Sequence, residues 1–236
     1  YLFSVRYYFD EVTPDNLEPE GIDLPGFSYY DTQNGFHIYK NDYALPMGFT
    51  FDTYVSRSQW ETYSESDRCN LLLRALVLED DAVETYQKDM QKLPDAVHQM
   101  SDEDLLAECT ERAKTACDSF TYNSKGFHAT ISTDHANLVF FSVPWEEGWS
   151  AEVNGEPVSI EKADIGFMAV PVAAGDSEIT FTYHTPGLKA GALLSLSGLV
   201  LFAGYLTVAG IWNKRHPSPK AESVCCMDYS AEETAN

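Results

Sequence analysis

From Ala190 to Trp212 the chain reads AGALLSLSGLVLFAGYLTVAGIW, 23 residues without one charged side chain. At 1.5 Å per residue, a helix of that length reaches about 35 Å, more than the ~30 Å hydrocarbon layer of a bilayer. The alternative is a helix buried in a large soluble core. The length of the run argues against it, because uninterrupted apolar stretches above ~18 residues usually span membranes. Lys189 stands at one edge, where its stem can snorkel, and Trp212 at the other, where an amphipathic ring suits the interface. Gly191, Ser195, Gly198, Ala203 and Gly210 are small residues that suit close helix packing in lipid.

This segment divides the chain. Residues 1–187 carry 11 Lys plus Arg against 33 Asp plus Glu, which accounts for the net −22 of the whole. Directly after the apolar run come Asn213-Lys214-Arg215-His216, and then Lys220. Positive charge at that end places the tail in the cytoplasm and the acidic region outside, with the lipid bilayer as the first partner. The acidity argues against nucleic acid as a partner, since phosphates require a basic patch. The tail, 213–236, contains Pro217-Ser218-Pro219 and Glu232-Glu233 and reads as disordered, with Cys225-Cys226 as plain cytosolic thiols.

The outer region begins with a β-type run, Leu2 to Phe9, followed by Tyr29–Gln33 and Phe36–Lys40 around Asn34-Gly35, the strongest short hairpin signal. Met47–Val55 reads as a further strand. Arg57–Leu78 and Asp80–Lys92 lack Gly and read as helical, with Leu71, Ala75 and Leu78 on one face. Ser101 opens another helix as an N-cap ahead of Asp102, Glu103 and Asp104, and Leu105, Cys109, Ala113 and Cys117 form its apolar stripe. Cys109 and Cys117 lie roughly 12 Å apart along such a helix, too far to bridge each other. Pairing of Cys69 with either stays open.

Beyond Thr121 the pattern is β. Phe127–Ser132, Leu138–Val143, Trp149–Val153, Pro157–Glu161, Phe167–Val172 and Ile179–Tyr183 are short runs separated by Gly or Pro, and Asn154-Gly155 marks a second hairpin. Spacing of about ten residues suggests an antiparallel sandwich. The expected architecture is an α+β outer domain with a C-terminal antiparallel β-sandwich, followed by one transmembrane helix. Its parts are residues 1–120 (mixed α/β) and 121–187 (β-sandwich) of one extracytoplasmic domain, 188–212 as the span and 213–236 as the tail. The junction Thr185-Pro186-Gly187 leaves little slack, so the sandwich should lie close to the bilayer surface.

Chemical motifs are missing. The sequence holds no GxGxxG, P-loop, GxSxG or HExxH, and its Cys spacing matches no zinc site, so no catalytic residue, no metal ligand and no cofactor is assigned. His128 and His135 are spaced to meet across a strand pair, but a scattered pair is weak ground for a metal. Glu79-Asp80-Asp81 reads as a solvated helix boundary. Trp145 and Trp149 bracket the turn carrying Glu146 and Glu147. Exposed, these indoles would stack on a sugar ring beside the carboxylates, and they are the substrate-binding candidates; buried, they would close the sandwich core.

The run FFSVPWEEGWSAEVNGEPVSIEKADIGFMAVPVAAGDSEITFTYHTPGLKAG, leading into a terminal span, resembles the C-terminal end of YfhO-type bacterial membrane proteins. The likeness is carried by Gly148-Trp149, Val153-Asn154-Gly155, Gly166 to Pro171, Ala174-Gly175 and Thr185 to Leu188, with NDYALPMGFTFD upstream as a second match. The resemblance implies a large multi-spanning protein similar to the GT-C class of glycosyltransferases, which take sugars from lipid-linked donors at the outer face of the membrane. It implies a location in the bacterial cell membrane, with an envelope glycan or lipid-linked sugar as further partner. In that class the catalytic acids lie near the N-terminus, and no residue here matches them. The chain is then expected to be a C-terminal, non-catalytic fragment. The other class of function is a membrane-anchored module that binds a glycan or envelope partner.

Overall fold

A computed structural model describes residues 2–19, 21–94 and 100–216. It divides into two units, residues 1–185 and 186–236, considered in turn.

In the first unit, β1 (Tyr7–Glu11), β2 (Phe27–Gln33) and β3 (Phe36–Asn41) form an antiparallel sheet in the order β1-β3-β2. Asn34 and Gly35 take φ of 51° and 80°, the left-handed pair a tight hairpin turn requires. The first strand starts at Tyr7 rather than Leu2. Leu2 turns inward and is buried in the main core.

The next segment departs most from the sequence pattern. It contains β4 (Phe49–Thr50), β5 (Thr53–Ser56), α1 (Arg57–Trp60), α2 (Glu65–Leu71), β6 (Leu76–Leu78), α3 (Asp80–Tyr86), β7 (Gln91–Lys92) and α4 (Asp102–Ala113). The single strand expected over Met47–Val55 is two strands, and the long helices over Arg57–Leu78 and Asp80–Lys92 are short ones with strands between. Ser56 and Ser64 cap α1 and α2 by accepting from the N–H of Gln59 and Asp67. Leu76, Val77 and Leu78 are all buried, and β6 runs parallel to β5. A strand covered on both faces reads as a continuous apolar run, which helical periodicity also tolerates. The helix opened by Ser101 forms as expected, with a capping box: Ser101 Oγ accepts from Asp104 N–H at 3.2 Å, and the Asp104 carboxylate accepts from Ser101 N–H at 3.1 Å. It ends at Ala113, however, which is exposed. Arg112 is buried in its place, and Cys117 lies beyond the helix.

The remaining strands are β8 (Ser119–Asn123), β9 (Gly126–Thr133), β10 (Asn137–Pro144), β11 (Trp149–Val153), β12 (Glu156–Val158), β13 (Glu161–Ala163), β14 (Phe167–Val172) and β15 (Gly175–Tyr183). Of these, β8 has no counterpart in the expected set, and the run Pro157–Glu161 is divided between β12 and β13. Two sheets result, a five-stranded one in the order β12-β11-β15-β9-β8 and a seven-stranded one in the order β4-β10-β14-β13-β6-β5-β7. Strands from both sides of residue 120 thus share the larger sheet. Phe127, Ile131 and Phe181 of the smaller sheet pack against Phe141, Met168 and Val170 of the larger. The opposite face of β10 and β14 presents Leu138, Phe140 and Ala169 to a second core with Phe49, Phe51 and Leu76.

The seven-stranded sheet cannot be flat. Its first and sixth strands, β4 and β5, are joined by Phe51 and Asp52 alone. Five flat strand spacings would separate them by about 24 Å, whereas three residue steps reach at most ~11 Å. The sheet therefore curls into a half-barrel, and Phe49, Phe51 and Phe140 fill its interior with ring centroids 5.3 to 6.1 Å apart. The carbonyl of Thr50, at the broken end of β4, accepts from Arg112 Nη1 at 2.7 Å and from Thr115 Oγ1 at 2.9 Å. The Arg112 guanidinium also lies 4.5 Å from the Phe51 ring centroid, and burial holds its pKa down. On the other side of the sheet, Asp164 continues the pairing of β13 with β6. Its N–H donates to Val77 O at 2.9 Å and its Oδ1 accepts from Val77 N–H at 2.8 Å.

The second unit contains α5 (Leu188–Arg215), 28 residues long with no buried residue. The expected span Ala190–Trp212 falls wholly inside it. By length and composition α5 is a candidate membrane span. Two of its hydroxyls are turned onto its own backbone: Ser197 Oγ donates to Leu193 O at 2.8 Å and Thr207 Oγ1 to Gly204 O at 2.7 Å. The tail from residue 217 onward, including Cys225-Cys226, lies outside the described residues.

Candidate functional site

The turn between β10 and β11 is held from three directions. Trp145 N–H donates to Gly166 O at 2.8 Å, Trp149 N–H to Glu146 O at 3.2 Å, and His184 N–H to Gly148 O at 2.8 Å. Gly148 is required here by close approach. A Cβ on it would lie 2.5 Å from both His184 O and the Tyr183 ring. The turn therefore lies flat against the end of β15 and brings Glu146 to Tyr183, whose hydroxyl donates to Glu146 Oε2 at 3.0 Å. That hydrogen bond to a carboxylate, with some desolvation, raises the Tyr183 pKa.

Trp145 and Trp149 are both half-buried, neither wholly exposed nor closed into the core. The inner side of Trp149 meets Phe127, Phe181 and Tyr183 with centroids 5.6, 6.1 and 5.0 Å away. Lys162 Nζ sits 3.8 Å above the Trp145 ring. Both indoles line a 350 Å³ cavity together with Glu146, Glu147 and Pro157. Trp149 also borders a larger cavity of 560 Å³, whose other aromatic walls are Phe120, Tyr122, Phe127 and Tyr183. Tyr122 and Lys125, at the β8–β9 hairpin, escaped the sequence reading because β8 itself did. The signal available was a polar tip, Asn123-Ser124-Lys125-Gly126, set between the aromatics Tyr122 and Phe127.

The remaining titratable candidates are engaged separately. His128 Nε2 lies 2.9 Å from Glu178 Oε1 and His135 Nε2 lies 3.7 Å from Asp52 Oδ1, so each histidine has its own acidic neighbour. Among the described residues no group of three or more His, Cys, Asp or Glu side chains is placed to hold a metal ion. Glu79 and Asp80 form the entry to α3, where Glu79 lies 3.7 Å from Arg57 Nη1 and Asp80 Oδ1 accepts from Ser58 N–H at 3.1 Å. Cys69, Cys109 and Cys117 are free thiols. Burial pushes Cys109 up to about 11 and Cys117 up to about 12, which makes both poor nucleophiles.

Comparison with known proteins gives one family and one relative. The family described as "Bacterial membrane protein YfhO" matches residues 95–195, an interval that includes α4, the whole five-stranded sheet and the first turns of α5. A Bacillus subtilis (strain 168) protein described as "Uncharacterized protein YfhO" is 30% identical over 121 residues, which is 51% of this chain and 13% of that protein. The chain thus corresponds to a small part of the relative's length. No solved structure matches it.

Proposed function

We propose that this chain, which carries a YfhO-family membrane-protein domain over residues 95–195, is the C-terminal part of a lipid-linked-sugar-dependent glycosyltransferase of the bacterial cell envelope, contributing an extracytoplasmic accessory domain and the last span. The observation that carries this reading is the continuity of the family match from the folded strands into α5, a helix long and apolar enough to cross a membrane. Lys214 and Arg215 in the last turn of α5 support a cytoplasmic C-terminus by the positive-inside rule. On this reading residues 1–120 and 121–187 face outward as two parts of one domain, 188–212 cross the bilayer and 213–236 are cytoplasmic. Trp145 and Trp149 contact the glycan, a role supported by the half-buried indoles bordering cavities beside Glu146. The second reading, a non-catalytic anchored module that binds a glycan, draws on those same cavities.

Three measurements test this. A membrane-impermeant maleimide applied to intact cells should modify the exposed Cys69, while a reporter fused after Asn236 should be active only in the cytoplasm. An external reporter would overturn the orientation. Purified chain supplied with a lipid-linked sugar should show no transfer above a heat-killed control, because α5 has no acidic or basic side chain between Ala190 and Trp212 to act at membrane depth. Turnover abolished by mutating an outer carboxylate would place the active site in this chain and refute the accessory role.

A further inference from the structure

The larger cavity is built in a way that the Trp145–Trp149 pair does not account for. Its 560 Å³ falls within the range of small-molecule sites. The floor is Phe127, 6% exposed and stacked on Phe181 with centroids 4.4 Å apart, so it is fixed by the sandwich core. Trp149 and Tyr183 stand on one side and Phe120 and Tyr122 on the other. Tyr122 is 80% exposed, a large ring at the cavity edge with little covering it.

The hairpin tip that carries Tyr122 is tied down. Lys125 N–H donates to Asn123 Oδ1 at 2.7 Å, and Lys125 O accepts from Tyr183 N–H at 2.7 Å. A Cβ at Gly126 would collide with the Phe181 carbonyl oxygen, so the tip can approach β15 this closely only with glycine there. Two charged side chains line the same space, Glu146 and Lys125. The Tyr183 hydroxyl engages Glu146 Oε2 and leaves Oε1 as an acceptor.

We propose that this cavity binds a neutral pyranose ring of a saccharide, with a C–H face of the sugar on Trp149, Tyr122 closing over it from the opposite wall, and its hydroxyls donating to Glu146 and accepting from Lys125. A pyranose has an apolar face and a hydroxyl edge, and the cavity offers flat aromatic surface next to one acceptor and one donor. Other ligand classes fit less well. An anion would meet a domain with 33 acidic and 11 basic side chains over residues 1–187. An organic ammonium would meet Lys125. An alkyl chain would desolvate Glu146 and Lys125 without giving either a partner. The cavity is defined by its own geometry, and rests on the envelope reading above only for where its sugar comes from.

The test uses the full chain in detergent micelles, ¹⁵N-labelled, titrated to millimolar concentrations with the methyl glycosides of glucose, galactose and N-acetylglucosamine. Choline chloride and inorganic phosphate serve as the competing chemistries. At least one glycoside should shift the Trp149 indole and Gly126 amide signals saturably, and neither choline nor phosphate should. Tyr122→Ala and Glu146→Ala, both at exposed positions, should keep the native spectrum and weaken binding about fivefold each. Absence of a saturable shift with all three glycosides, unchanged affinity in Tyr122→Ala, or a choline response at the same signals would each overturn the proposal. Shifts confined to Trp145 and the smaller cavity would also overturn this site while leaving the accessory-domain reading intact, and the Cys69 labelling result stands or falls separately from both.

Discussion

Replacing Asp164 by Asn should stabilise the protein at neutral pH and remove a specific part of its pH dependence. Asp164 is 3% exposed, its Oδ2 has no hydrogen-bond partner among the described residues, and its backbone is in the left-handed region at φ 43°. Burial raises its pKa to about 8, against the opposing pull of the Val77 N–H. The folded carboxyl therefore holds a proton at pH 7 that the unfolded chain, near 3.8, has released. Between those two values the folded state binds more protons, so stability falls as pH rises, by about 1.4 kcal/mol per pH unit. At pH 7 the cost lies between about 4 and 5 kcal/mol and at pH 5 between about 1 and 2 kcal/mol; above pH 8 the slope ends. Asparagine keeps an acceptor for Val77 N–H and carries no charge, but its NH₂ stands where the protonated Oδ2 has one unpartnered O–H and brings a second unpartnered N–H, a penalty of about 1–3 kcal/mol. The net expectation at pH 7 is a gain of about 1–3 kcal/mol. The advantage of Asp164→Asn over the parent should widen by about 3 kcal/mol from pH 5 to pH 7, whatever the amide costs. Urea unfolding followed by tryptophan fluorescence at each pH measures this. An advantage that stays constant across that window would mean that the buried carboxyl is ionised when folded, and the reasoning fails.

Arg112→Met should cost about 2 kcal/mol, because methionine fills the space beside Phe51 but leaves Thr50 O with Thr115 as its remaining side-chain donor; a loss under about 0.5 kcal/mol in the same unfolding assay would remove Arg112 from the closure of the half-barrel. Iodoacetamide at pH 8 should alkylate Cys69 rapidly in the native protein and spare Cys109 and Cys117 until denaturant is added, since a thiol pushed up to about 11 or 12 holds almost no thiolate at that pH; peptide mapping that finds Cys117 modified as fast as Cys69 would contradict its burial.

Where a feature depends on a few adjacent residues, it was readable from the chain. Asn34-Gly35 and Asn154-Gly155 carry the positive φ angles of their hairpins in their own covalent structure. Ser101 and Asp104 cap a helix with side chains three residues apart. The charge-free run to Trp212 needs no partner to declare a helix long enough for a bilayer, because every backbone hydrogen bond of a helix is internal. The bounds of β11 follow from its alternation, and those of β14 from a short apolar run between Gly166 and Ala173-Ala174-Gly175.

The rest depended on what lies opposite in space. Leu76–Leu78 is a strand because β5 and β13 offer it hydrogen bonds on either side, which no local pattern reports. The break at Phe51-Asp52 follows from sheet closure, and the burial of Arg112 instead of Ala113 from the unpaired Thr50 carbonyl that closure leaves behind. The larger cavity joins Tyr122, Glu146 and Tyr183 through the pairing of β9 with β15 and the flat turn at Gly148. Trp145 and Trp149 could be singled out as aromatic and placed in a turn, but which part of each ring faces the core and which faces a cavity is set by residues distant in sequence. Periodicity and turn chemistry act over a few residues and are written in the chain; register, sheet closure and the walls of a cavity arise from contacts between distant segments, and those are decided only when the chain folds.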